Sequence, residues 1–163
     1  MQIPEGFDSE ERGARAREFF LQGYNCCQAV LMAFADILEA EGFDERMVKT
    51  IGSGFGGGFA RMREVCGSFS GCTVMAGVIR PAVTPGMEGR KANYALVQEM
   101  AAAFKERNGG SIVCAELLGL RERKPEPPAP SERTEEYYRK RPCPEIIRNA
   151  AIVVAEKMKE AAV

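Results

Sequence analysis

The sequence predicts an all-α protein, a single compact bundle of about six or seven helices spanning residues 1–163. Three observations carry this. Helix N-caps recur along the chain, apolar residues fall at helical spacing without strand-like alternation, and Gly or Pro closes the apolar runs. With 163 residues, 45% of them hydrophobic, the chain should bury roughly 70% of its unfolded surface. It therefore needs neither disulfides nor metal merely to hold a core.

Asp8 with Glu11 forms a capping-box pattern, and the run from Ser9 to Gln22 sets Ala16, Phe19 and Phe20 near helical spacing before Gly23 stops it. Asn25 with Gln28 repeats the pattern and opens CCQAVLMAFADILEAE, a helix running to Gly42 with Cys26 and Cys27 as its first residues. Asp44 caps a third helix through Ile51, and GSGFGGG after it forbids regular structure. The next helix runs from about Cys66 to Ile79 and is closed by Pro81. Glu88 to Arg107, rich in Ala, Leu and Met, forms a long helix stopped by Asn108, Gly109 and Gly110. Ser111 caps a short helix, IVCAELL, with Cys114 at its third position. Cys143 followed by Pro144 reads as an N-cap and N1 pair, starting a last helix that reaches about Glu160.

Between the last two helices, residues 121–142 are rich in proline and charge and poor in buriable residues, which predicts an exposed connector with no role beyond joining. No internal repeat divides the chain, so residues 1–163 read as one helical domain.

Charge and hydropathy remove several classes of function. A net charge of -1 with a pI near 5.7 gives no electrostatic case for nucleic acid. The longest apolar stretch, Ala29 to Ala35, is far too short to span a bilayer, so no membrane insertion is expected. The start Met1-Gln2-Ile3-Pro4-Glu5 lacks the basic-then-apolar order of a secretory signal, which predicts a cytoplasmic protein with reduced thiols. Small molecules or other proteins are the expected partners, and the Ala-rich helices leave a homodimer face open.

Four of the six cysteines, Cys26, Cys66, Cys114 and Cys143, fall at the predicted helix starts, and the chain has no histidine. A helix start aims unpaired N–H groups and partial positive charge at a thiol, which favours the thiolate and prepares it for redox or metal work. Without histidine, the chain alone builds no Ser/His/Asp triad, Cys/His pair or His-bearing zinc site. Cys26 and Cys27 diverge by about 100° on a helix, so one faces the chemistry while the other packs or points away. Cys66 and Cys72 are separated by about 9 Å of rise and roughly 240° of rotation, beyond disulfide reach. No C-x-x-C pair occurs, which removes thioredoxin-type and zinc-ribbon sites. If the four helix starts converge, their thiolates can hold a tetrahedral-type sulfur site; taken singly, each cysteine also fits the role of a small buried hydrophobe.

Gly52 to Gly57 matches G-x-G-x-x-G in letters, but no strand or βαβ unit surrounds it and no Lys-Ser or Lys-Thr follows, so neither a dinucleotide fold nor a P-loop is predicted. The glycines instead let backbone approach a neighbouring group, with Arg61 and Arg63 placed to balance anionic sulfur; a flexible turn with solvated arginines fits the same letters. Gly67 and Gly71 give the following helix a small face suited to close packing.

Asn25-Cys26, GFGGGFAR at 54–61, CGSFSG at 66–71, Cys114-Ala115-Glu116-Leu117-Leu118-Gly119 and Cys143 before the last helix together resemble the C_GCAxxG_C_C family of redox-active proteins. The resemblance covers nearly the whole chain. It implies that the four cysteines in this order, Cys26, Cys66, Cys114 and Cys143, are the reactive or ligating ones. It also implies that Gly56, Gly57, Gly58 and Arg61 belong to a cofactor-binding segment. Ser68 stands where the name motif has Ala, and Cys27 and Cys72 are additional. Related domains accompany split-Soret type cytochromes, which implies an iron–sulfur electron carrier.

Three readings of function follow. In the first, Cys26, Cys66, Cys114 and Cys143 ligate a metal centre such as [2Fe-2S] for electron transfer with a donor or acceptor protein. The second is a metal-free thiol/disulfide redox protein, in which one thiolate attacks and another resolves. The third is a non-catalytic module with structural zinc or plain buried thiols. Whether the chain is an enzyme is left open.

Overall fold

The computed structural model describes residues 1–162, which are helical throughout their regular structure. The helices are α1 Ser9–Leu21, α2 Cys26–Met32, α3 Ala35–Ala40, α4 Glu45–Gly52, α5 Gly67–Ile79, α6 Met87–Arg107, α7 Cys114–Leu117, α8 Glu135–Lys140 and α9 Cys143–Ala162. The all-α expectation holds, while the count of six or seven is corrected to nine among the described residues.

The first added helix comes from a break in the second run. Arg12 of α1 is buried and its Nη1 donates to the carbonyl of Ala33 at 2.8 Å. That carbonyl is the acceptor an unbroken helix would use, and the Ile37 N–H turns to Phe34 instead. Asp36 supplies the counter-charge to Arg12 through both carboxylate oxygens. One buried guanidinium thus ends α2 and lets α3 start at a new angle. The second addition is α8, inside the stretch read as an exposed connector. Thr134 caps it by accepting from Tyr137 N, with Glu135 and Glu136 in its first turn and Arg139 and Lys140 in its last. Those charges match the helix dipole at both ends.

The caps expected at Asp8, Asn25 and Asp44 are present, whereas the one expected at Ser111 is not: Ser111 Oγ accepts from Val113 N, Val113 pairs with Val65, and α7 starts after it with no side-chain cap. Asp8 accepts from Glu11 N, Asp44 accepts from Met47 N, and Asn25 with Gln28 closes a full capping box. Two starts shift by a residue or two: Cys114 is the first residue of α7, and Cys143 lies inside α9. Pro142 carries the carbonyl that accepts from Ile146 N.

α9 is the spine of the bundle, buried along Ile147, Ala150, Ala151, Val154 and Met158. α1 lies along it at Gly13, where an added Cβ would come within 2.8 Å of Ile152. α2 and α5 pack together and both meet α9, and α5 joins α6 through the Phe69–Phe104 ring pair. Gly71 of α5 sits against Val30 of α2, the close helix packing its small face predicts. No described helix is long and apolar enough to cross a membrane.

Candidate functional site

Four chain segments meet where the starts of α2, α5, α7 and α9 converge. Asn25 does two jobs there. Its side-chain oxygen caps α2, while its Nδ2 donates to the carbonyls of Gly52 and Ser53 at 3.0 and 3.1 Å, tying the start of α2 to the end of α4. Cys26 is thereby held at the edge of the glycine-rich turn.

Residues 57–63 form that turn in an uncommon conformation. Gly57, Gly58, Phe59, Ala60 and Arg61 all have positive φ, as does Arg63. For the non-glycine residues this costs about 1 kcal/mol or more each, so surrounding bonds must enforce it. They do: Arg61 N donates to Gly56 O, Arg63 N to Gly57 O and Glu64 N to Gly58 O, at 3.1 to 3.2 Å. The chain then enters a single antiparallel bridge, Val65 with Val113. Cys66 N donates to Ile112 O at 2.8 Å and Cys114 N to Glu64 O at 2.6 Å, so the bridge seats two of the cysteines side by side. Gly58 backs this arrangement, since a Cβ there would fall 2.7 Å from Cys114 Cβ. Gly67 backs Cys26 in the same way, at 2.3 Å from its sulfur.

The result is one cavity of about 680 Å³ lined by Cys26, Cys66, Cys114 and Cys143. Arg61, Arg63, Arg133 and Arg141 also line it, and among the described residues no carboxylate does. Gly56, Gly57 and Arg61 also line this space, whereas Gly58 stands behind Cys114. Cys27 and Cys72 lie outside it, fully buried in the core, with Cys72 donating to Ala150 O at 3.5 Å. All six thiols are unpaired.

Burial changes the expected electrostatics of the thiols. Loss of water pushes Cys26 and Cys66 up from the ordinary thiol range and takes Cys143 to about 11. The N–H groups of Gly57 and of the α2 start pull Cys26 back only in part, and Ser68 does the same for Cys66. The expectation that a helix start favours the thiolate is therefore corrected at these three residues: desolvation outweighs it. Among the described residues, no three His, Cys, Asp or Glu side chains gather around one point suited to a metal ion.

Of the two arginines expected near sulfur, Arg63 arrives: its Nη1 lies 3.7 Å from Cys114 Sγ. Arg61 turns to Glu126 and Ser131, and its Nε is buried without a hydrogen-bond partner. The connector contributes what sequence reasoning missed. Glu126 binds both arginines, Arg133 donates to the carbonyls of Phe20 and Tyr24, and Tyr137 and Arg141 flank Cys143 along the wall. The connector is thus a wall of the cavity as well as a join. Its signals were the Thr134 cap followed by acid-then-base order, and the Tyr137-Tyr138 pair, too apolar for a plain linker. Ser68 was also missed as a site residue; its hydroxyl lies 2.9 Å from Cys66 Sγ.

No curated protein and no solved structure matches the chain. The family model described as "Putative redox-active protein (C_GCAxxG_C_C)" matches residues 24–157, a span that holds every wall of this cavity except Phe20 and Gly23. With so much of its length matched, and its four helix-start cysteines facing one space, the chain belongs to the C_GCAxxG_C_C family of redox-active proteins.

Proposed function

We propose that this chain is an electron-transfer protein in which Cys26, Cys66, Cys114 and Cys143 together hold a [2Fe-2S] centre. The observation that carries the reading is the cavity: thiols from four separate segments line one space with four arginines and, among the described residues, no carboxylate. The donor set suits iron–sulfur chemistry, in which cysteine thiolates are the usual ligands. Two side chains serve each iron, so three or four need not crowd around one ion.

The charges agree with that occupant. A cluster held by four thiolates is net negative in both oxidation states, and buried charge needs an opposite partner. Four guanidiniums with Glu126 as their single bound carboxylate leave the surroundings positive, and Arg61 Nε is a buried donor without a protein acceptor. When bound, the centre supplies one-electron transfer. The chain holds the four sulfurs, screens Cys66 and Cys114 from water, and directs Gly57 N–H at Cys26, Ser68 at Cys66 and Arg63 at Cys114.

Reconstitution with iron and sulfide under anaerobic conditions tests the reading. Cys66→Ala should abolish cluster binding while Cys27→Ala leaves most of it; equal losses in both variants contradict the assignment of ligands.

A further inference from the structure

Glu126 stands at the centre of an unusual set of bonds. Its Oε1 accepts from Arg63 Nε at 2.8 Å and its Oε2 from Arg63 Nη2 at 2.7 Å, a two-pronged grip on one edge of a planar guanidinium. The same Oε2 accepts from Arg61 Nη2 at 2.6 Å, and Glu126 N donates to Arg61 O at 3.1 Å. Gripping two nitrogens of a rigid plane sets the direction of the third. That third nitrogen, Nη1, is the one at 3.7 Å from Cys114 Sγ. Arg63 is 4% exposed, so it has little freedom to turn to solvent. Its backbone is held as well, since Arg63 O accepts from Ala115 N at 3.2 Å.

We propose that Glu126 is a positioning residue of the thiol site, acting through Arg63 to hold a positive donor on Cys114 Sγ. The inference rests on reading Cys114 as a working thiol of the cavity and is independent of which centre the cavity holds. It gives the connector a function: folding residues 121–142 across the site aims Arg63, so the Cys114 environment is complete only when the connector is docked. Glu126 is ionised for this task, held below the usual carboxylate range chiefly by its bonds to Arg63. A neutral amide in its place keeps the size and the backbone bond but loses the charge and one of the two prongs.

The test is a double-mutant cycle read on metal-free, reduced, full-length protein. Each cysteine's alkylation rate by iodoacetamide is followed at one pH by mass spectrometry for Glu126→Gln, Arg63→Gln and the double variant. Each single change should slow Cys114 about threefold or more, and the double should be no slower than either single, as for residues acting in series. Cys143, which Arg63 reaches only through its charge and with the weakest of the effects on that thiol, should change less than Cys114. An unchanged Cys114 rate in Glu126→Gln, additive losses in the double variant, or a common rise at Cys26, Cys114 and Cys143 each overturn the proposal; the last would make the connector only a cover. If Arg63→Gln does not fold, Arg63→Lys keeps the charge without the fork and serves the same cycle. A colourless, iron-free protein with an intact cycle would remove the cluster but keep the role of Glu126; an iron-loaded protein with an unchanged Cys114 rate would do the reverse.

Discussion

Ser68 Oγ lies 2.9 Å from Cys66 Sγ, with both side chains shut away from water. Toward a thiolate or metal-bound sulfur, the hydroxyl donates. Hydrogen bonds to cluster sulfurs favour the more negative, reduced state. Ser68→Ala should therefore keep the fold and bound iron while lowering the midpoint potential, with a stability change of about 1 kcal/mol. Potentiometric titration of the two proteins checks it; an unchanged midpoint would mean that this bond does not reach the redox centre.

Gly67 and Gly77 share α5 and predict opposite outcomes. A Cβ on Gly67 would lie 2.3 Å from Cys26 Sγ and 2.5 Å from Phe55 O, the second being backbone that has little room to give. Gly67→Ala should destabilise by about 1–3 kcal/mol through overpacking and displace Cys26, reducing cluster binding. A Cβ on Gly77 meets nothing within 4 Å, so Gly77→Ala should gain up to about 1 kcal/mol from helix propensity and leave the site untouched. Denaturant unfolding and iron analysis on both variants separate packing from ligation.

Cys27 and Cys72 answer to the core. Each is fully buried, and burial is the first cause raising each thiol far above the ordinary range. In the unfolded chain these thiols ionise near pH 8.5, while in the folded chain they stay protonated well beyond it. The folded state then binds more protons, so stability is intact below the unfolded value and falls as pH rises above it. Metal-free protein should lose denaturant resistance from about pH 9 upward, by up to about 1.4 kcal/mol per pH unit for each such thiol. Replacing Cys27 and Cys72 together by Ala should make that fall shallower without abolishing it, since Cys26, Cys66 and Cys143 are raised by burial as well, measured as the urea midpoint against pH; an equally steep fall would place its origin elsewhere.

Much of this arrangement is legible in the sequence because it is local. The caps at Asp8, Asn25 and Asp44 and the stops at Gly23 and Gly42 act within a few residues, and all are found where the letters place them. The four cavity cysteines are legible for the same reason, each sitting near a helix start. What was hidden depends on partners far apart in the chain. The break between α2 and α3 comes from Arg12 reaching Ala33 O, a contact across 21 positions that no local pattern announces. The connector's grip on Arg63 spans 63 positions and relies on a turn of left-handed residues whose fold the glycines permit but do not specify. Thiol electrostatics were misjudged because a helix start is visible in sequence, whereas the burial that outweighs it is a property of the assembled cavity.

The most direct measurement is a visible spectrum with iron and acid-labile sulfide analysis on protein purified without oxygen. The account predicts absorbance in the visible with iron near two per chain and matching sulfide, as a [2Fe-2S] centre requires. A colourless, metal-free protein would contradict it and favour thiol/disulfide exchange in the same cavity, and zinc without iron would contradict it in favour of a structural site.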